Sequence, residues 1–229
     1  MRTETHDCDG VDLAVAVWEP EAPRHPPVVL LPGTGLTAAD WDVVAADLSR
    51  DRTVYAVDLR GHGASAWPGT YSIELMAHDV LALLPQLVGE AGHLDLVGHS
   101  LGGLVACRVA LASPLVRRLV LEDVGLPRQR RPNTPNRPRG ELAFDWGVVE
   151  QVRPEIDSPA ADWPDVLRAL AVPVLAIGGG PSSFVPQDTV RALVDTVANG
   201  TLVTIAVGHE VHAGEPTAYV TAVRDHLDA

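Results

Sequence analysis

Apolar and polar positions alternate over two segments at the start of the chain, Arg2–Cys8 and Val11–Trp18, with Asp9-Gly10 between them. Alternation gives a strand one core face and one wet face, and Asp-Gly is a strong signal for a two-residue hairpin turn. The pair is predicted as an antiparallel hairpin. Downstream the period changes. Short apolar runs occur at Val28–Leu31, Thr53–Val57, Leu94–Val97, Leu119–Leu121, Val174–Ile177 and Leu202–Val207. Between them lie helical stretches near Asp40–Arg50, Ile73–Val88, Leu101–Ala112, Gln187–Val197 and Pro216–Leu227. Continuous apolar runs suit strands buried on both faces, and strands alternating with helices pair in parallel. The expected class is α/β, a mostly parallel sheet with helices on both faces and the hairpin at one edge.

One segment breaks the alternation. Pro127 to Pro164 holds seven prolines and six arginines with weak periodicity. Lying between two strand runs, it reads as a short lid, residues 127–165, inserted into a core of residues 1–126 and 166–229.

The most informative stretch is Val97-Gly98-His99-Ser100-Leu101-Gly102-Gly103, a G-x-S-x-G motif after a strand and before a helix. Such a turn forces the serine into a strained backbone conformation and crowds its neighbours, so Gly98 and Gly102 must lack side chains. It lifts the Ser100 hydroxyl above the sheet, at a helix N-terminus that favours developing negative charge. With this motif the chain resembles the α/β-hydrolase family over nearly its whole length. Leu30-Leu31-Pro32-Gly33-Thr34-Gly35 is similar to the family's oxyanion loop, with Pro32 where histidine is usual. The resemblance implies backbone donors at Thr34 and Leu101. Asp58-Leu59-Arg60-Gly61-His62-Gly63-Ala64-Ser65 is similar to the family's D-x-R-G-x-G-x-S turn and reads as structural, with His62 as the weaker candidate for a base.

His209 follows the last strand run, where the family carries its catalytic histidine; an imidazole titrating near neutrality can take and return a proton. His212 reads as a neighbour at the pocket mouth. The family's usual acid position is departed from: the loop Gly179-Gly180-Pro181-Ser182-Ser183-Phe184-Val185-Pro186 carries Ser182 there. Some members take the acid from the end of the preceding strand, here Leu119-Val120-Leu121-Glu122-Asp123. Adjacent strand residues face opposite ways, so only one carboxylate can serve, and register favours Asp123. A cap role for Asp123, or a Ser–His dyad helped by Ser182, are the alternatives.

Composition narrows the partners. A net charge of −13 excludes nucleic acid and anionic membranes as natural partners. All 17 basic residues are arginine, which looks like a GC-rich bacterial genome. Two cysteines, no signal-like start and no long apolar run fit a cytoplasmic protein, guessed to be a monomer acting on a small molecule. No cofactor is implied. No metal is either, since Gly208-His209-Glu210-Val211-His212 lacks the H-E-x-x-H spacing. Arg128, Arg130 and Arg131 read first as a solvated loop and second as a recognition patch for a carboxylate or phosphate. Phe144, Trp146 and Trp163 are the expected substrate-binding aromatics, while Trp41 fits pocket or core equally.

The implied activity is hydrolysis of a carboxylic ester or thioester through an acyl-enzyme. A lyase or cyclase on the same fold, and a binding protein that has lost its chemistry, are the other classes.

Overall fold

The computed structural model describes residues 1–229 except 90, 91 and 134. Strands β1 (Arg2–Cys8) and β2 (Val11–Trp18) pair antiparallel across Asp9-Gly10, both with positive φ, as a type I′ hairpin demands. The remaining strands are β3 (Val28–Leu31), β4 (Val54–Val57), β5 (Leu94–His99), β6 (Val116–Glu122), β7 (Val174–Gly178) and β8 (Gly200–Thr204). Together they form one sheet in the order β1-β2-β4-β3-β5-β6-β7-β8. All pairs beyond β2–β4 are parallel. Central strands β3, β5 and β7 are buried along their whole length, which accounts for their unbroken apolar runs.

Helices α1 (Asp42–Leu48), α2 (Ile73–Leu87), α3 (Leu101–Ala112), α4 (Gly147–Asp157), α5 (Trp163–Ala169), α6 (Gln187–Thr196), α7 (Val211–Gly214) and α8 (Pro216–Leu227) surround the sheet. Two apolar clusters result, one on each sheet face. Leu83, Leu96 and Leu121 belong to the larger; Trp41, Val97, Val120 and Tyr219 belong to the other.

Three elements depart from the sequence pattern. The first helical stretch divides into a 3-10 turn, Ala38–Trp41, and α1. The last strand run ends at Thr204 rather than at residue 207: the chain leaves the sheet and turns at Gly208, φ 106°. Two helices, α4 and α5, arise within and beyond the proline-rich stretch. Pro164 sits in the first turn of α5, where its missing N–H has no intrahelical partner to lose. Pro154 lies inside α4 and lacks the N–H for an i−4 bond; both obscure the helical period in the sequence.

Candidate active site

Strand β5 ends at His99 and α3 begins at Leu101, so Ser100 alone makes the turn, at φ 51° and ψ −115°. This left-handed conformation costs a non-glycine residue about 1–2 kcal/mol. Besides Asp9 in the hairpin, the only other non-glycine residue with positive φ among those described is Asp123, at 48°. Close packing holds the turn. A Cβ on Gly98 would fall 2.4 Å from the Gly102 carbonyl oxygen, and one on Gly102 would fall 2.4 Å from that of Leu31. Both obstacles are backbone and cannot swing aside.

The Gly102 amide donates to the Pro32 carbonyl at 3.1 Å, clamping the loop after β3 to the head of α3. The amide of Gly35 donates to His62 Nε2 at 3.1 Å. The other His62 nitrogen, Nδ1, donates to the Arg60 carbonyl at 3.1 Å, so both ring positions are spent on the backbone. Burial, partly offset by backbone hydrogen bonds, lowers the His62 pKa. His62 is therefore a neutral loop tie. Between these clamps Thr34 and Leu101 line the same cavity as Ser100.

The His209 ring donates from Nδ1 to Asp123 Oδ2 at 2.7 Å. Three further donors converge on this carboxylate: the Gly179 amide at 2.9 Å, Gln187 Nε2 at 3.0 Å and the Ser183 hydroxyl. Burial raises the Asp123 pKa, but the hydrogen bonds from His209, Ser183, Gly179 and Gln187 outweigh it and hold the group below the usual carboxylate range. Gly179 permits this convergence, since a Cβ there would fall 1.9 Å from the Gly208 carbonyl oxygen.

A second carboxylate–histidine pair lies behind the first. Glu122 Oε1 accepts from His212 Nδ1 at 2.8 Å and from the His212 amide at 2.9 Å. The Trp41 ring covers His212 at 4.4 Å between centroids. His99, next to Ser100, donates from Nε2 to the His209 carbonyl at 3.1 Å. Burial drives its pKa down to about 4, so it is neutral.

Ser100, His209, Asp123, Thr34 and Leu101 line one cavity of about 580 Å³. The expected aromatics do not join them. Trp163 is buried in the core under the Arg108 guanidinium, which sits 4.4 Å above its ring. Phe144 stacks on His62 at 5.6 Å, and Trp146 leans on Phe144. The cavity wall is aliphatic instead, built from Leu36, Leu104, Val124, Val148, Val152 and Ile156. Phe184, absent from the sequence expectation, packs over His209 at 4.1 Å and is largely exposed. Ser182 does not bond the acid; its neighbour Ser183 does. Trp41 is core, and His212 is buried rather than at the mouth.

A parallel α/β sheet with a strained serine between strand and helix is the architecture of hydrolases with a nucleophile elbow. The chain belongs to the alpha/beta hydrolase family, whose sequence profile matches residues 28–223. It is 32% identical to Esterase Rv0045c of Mycobacterium tuberculosis, over 92% of this chain and 85% of that protein. It is 26% identical to a putative esterase/lipase of Haemophilus influenzae, over 81% and 77% of the two chains. In structure it is similar to a hydrolase from Pseudomonas aeruginosa, with a TM-score of 0.82, 24% identity, and 99% and 98% of the chains covered. Among the described residues no helix is long and apolar enough to cross a membrane.

Proposed function

We propose that the protein is a serine hydrolase cleaving a carboxylic ester or thioester of small to medium size. Ser100 attacks the carbonyl carbon. His209, its Nδ1–H committed to Asp123, takes the serine proton on Nε2 and returns it to the departing alcohol or thiol. The ionised Asp123 fixes the tautomer and stabilises the imidazolium. Amides of Thr34 and Leu101 receive the oxyanion, each worth on the order of 3 kcal/mol. Water on the same base then clears the acyl-enzyme. Residues 127–165 act as a lid, since Pro127 and the α4 residues Val148 and Val152 contribute to the cavity wall. Cys8 and Cys107, both buried and unpaired, suit a reducing cytoplasm.

The observation that carries this reading is the His209–Asp123 bond at 2.7 Å in the cavity that also holds the strained Ser100. Two relatives named as esterase or esterase/lipase support the ester class. The test is hydrolysis of p-nitrophenyl esters across acyl lengths by wild type and Ser100→Ala. Turnover abolished in the variant is expected; turnover retained, or none by wild type, overturns the reading.

A further inference from the structure

The arginines on the cavity wall have no place in the acyl-transfer chemistry. Arg128, Arg130 and Arg153 all line the cavity that holds Ser100 and His209, in a protein with a net charge of −13. Arg130 and Arg153 come from different parts of the insertion and meet at one carboxylate, Asp157. Each donates its Nε–H to the same oxygen, Oδ1, the Arg153 bond at 2.9 Å. The second oxygen is taken by the Asn133 amide at 2.8 Å. One buried carboxylate therefore faces two guanidinium groups, and one positive charge is left over. Both side chains are partly exposed, at 43% for Arg130 and 27% for Arg153.

Three acids line the same cavity: Asp188, 3.3 Å from Arg128; Asp123, held by His209; and Glu210, next to His209 in the chain. Along α4 the cavity-facing residues Val148, Val149, Val152, Arg153 and Ile156 form one helical face. An aliphatic wall thus leads to a guanidinium on the same helix.

We propose that Arg130 and Arg153 form an anion subsite, which selects esters carrying a carboxylate or phosphate beyond a short apolar spacer. Nε holds each guanidinium to Asp157, and the Nη edges, matched in shape to a planar or tetrahedral oxyanion, are presented to the ligand. The subsite deepens the ester-hydrolase reading and depends on it only for the route by which it is assayed.

The experiment compares p-nitrophenyl esters of glutaric, adipic and suberic acids with their neutral methyl-capped counterparts, and adds p-nitrophenyl 4-phosphonobutanoate. Wild type is expected to favour the anionic member of a pair by about tenfold or more in kcat/KM, the scale of one charge-assisted contact. The preference falls several-fold in Arg130→Gln or Arg153→Gln and collapses in the double variant. It is only partly kept by Arg153→Lys, which retains charge without the fork. Arg131→Gln, outside the cavity wall, keeps the wild-type ratio. The phosphonate arm separates carboxylate from phosphate selection. No anionic preference at any spacer length, with the neutral esters turned over, overturns the subsite and leaves the hydrolase reading intact. Where no ester at all is turned over, the hydrolase reading fails and the subsite is read by the melting temperature in glutarate and in inorganic phosphate. A rise in wild type that is lost in the double variant supports it; a rise kept there, or none, overturns it.

Discussion

Glu122 and Asp123 are neighbours at one strand end, and each accepts the Nδ1–H of a histidine from the loop 208–212. Both are buried with lowered pKa values, but their backbone and access differ. Asp123 has positive φ, takes four hydrogen bonds and places His209 on a cavity lined by Ser100. Glu122 is the last regular residue of β6, and its histidine is sealed under Trp41 and Tyr219. A carboxylate–imidazole pair is therefore no signature of catalysis by itself. Access, strain and a nucleophile on the same cavity distinguish the pair proposed to react from the pair that holds the loop in place.

The two pairs should part most sharply on substitution of Asp123. Asp123→Asn should lower kcat by on the order of 10⁴-fold, because an amide does not stabilise the imidazolium. Its melting temperature should move far less than its rate. Activity within a few-fold of wild type would remove Asp123 from the mechanism.

Glu122→Ala should do the reverse. It strands a buried histidine and its amide, a loss of roughly 3–5 kcal/mol in chemical denaturation, the range for removing one partner of a buried pair. The folded fraction should keep its capacity to react with a fluorophosphonate probe. A stable Glu122→Ala protein would show that the rear pair does not anchor the loop.

Ser183→Ala tests one of the four donors to Asp123. Loss of a single hydrogen bond to this charged acceptor should cost about 1.5–3 kcal/mol in chemical denaturation, with a smaller fall in kcat/KM because the bond is present in both ground and transition states. The Asp123 pKa, held down in part by this hydroxyl, should rise at the same time, read by NMR titration of the side-chain carboxyl. An unmoved Asp123 titration would mean the hydroxyl does not support the carboxylate.

The smallest effect is a pH dependence of stability in the rear pair. Burial opposes ionisation of Glu122, but His99 and His212 lower its pKa overall. Burial likewise opposes the charge on His212, but Glu122 raises its pKa overall. The depressed acid contributes stability above its unfolded value and loses it as pH falls through the folded one. The raised base contributes below its unfolded value and loses it as pH rises through the folded one. Their joint contribution is therefore complete between about pH 4.3 and 6.5 and declines on either side. The melting-temperature difference between wild type and Glu122→Gln should be largest in that window; a difference that is flat with pH would mean the pair is not ionised.

Much of this arrangement is legible in the chain. The hairpin follows from Asp9-Gly10 and strict alternation, and the elbow follows from glycines whose Cβ atoms would strike backbone. Strand parity already separates Glu122 from Asp123. The rear pair is illegible because no motif marks Glu122 or His212, and only the reversal of the chain at Gly208 brings them together. Ser183 and Phe184 reach the site through the fold of a glycine-rich loop with no periodic signal. The aromatics of the insertion pointed away from the cavity for a related reason. Trp163 had a core partner in Arg108, and helix α4, hidden by Pro154, presents valines rather than rings.

Whether Ser100 is the nucleophile, with His209 and Asp123 as its activating pair, is read most directly by a fluorophosphonate probe followed by intact and peptide mass spectrometry. Wild type should carry a single adduct on Ser100, Ser100→Ala none, and Asp123→Asn should label far more slowly. An adduct on another residue, or labelling of Asp123→Asn at the wild-type rate, would rule the triad out.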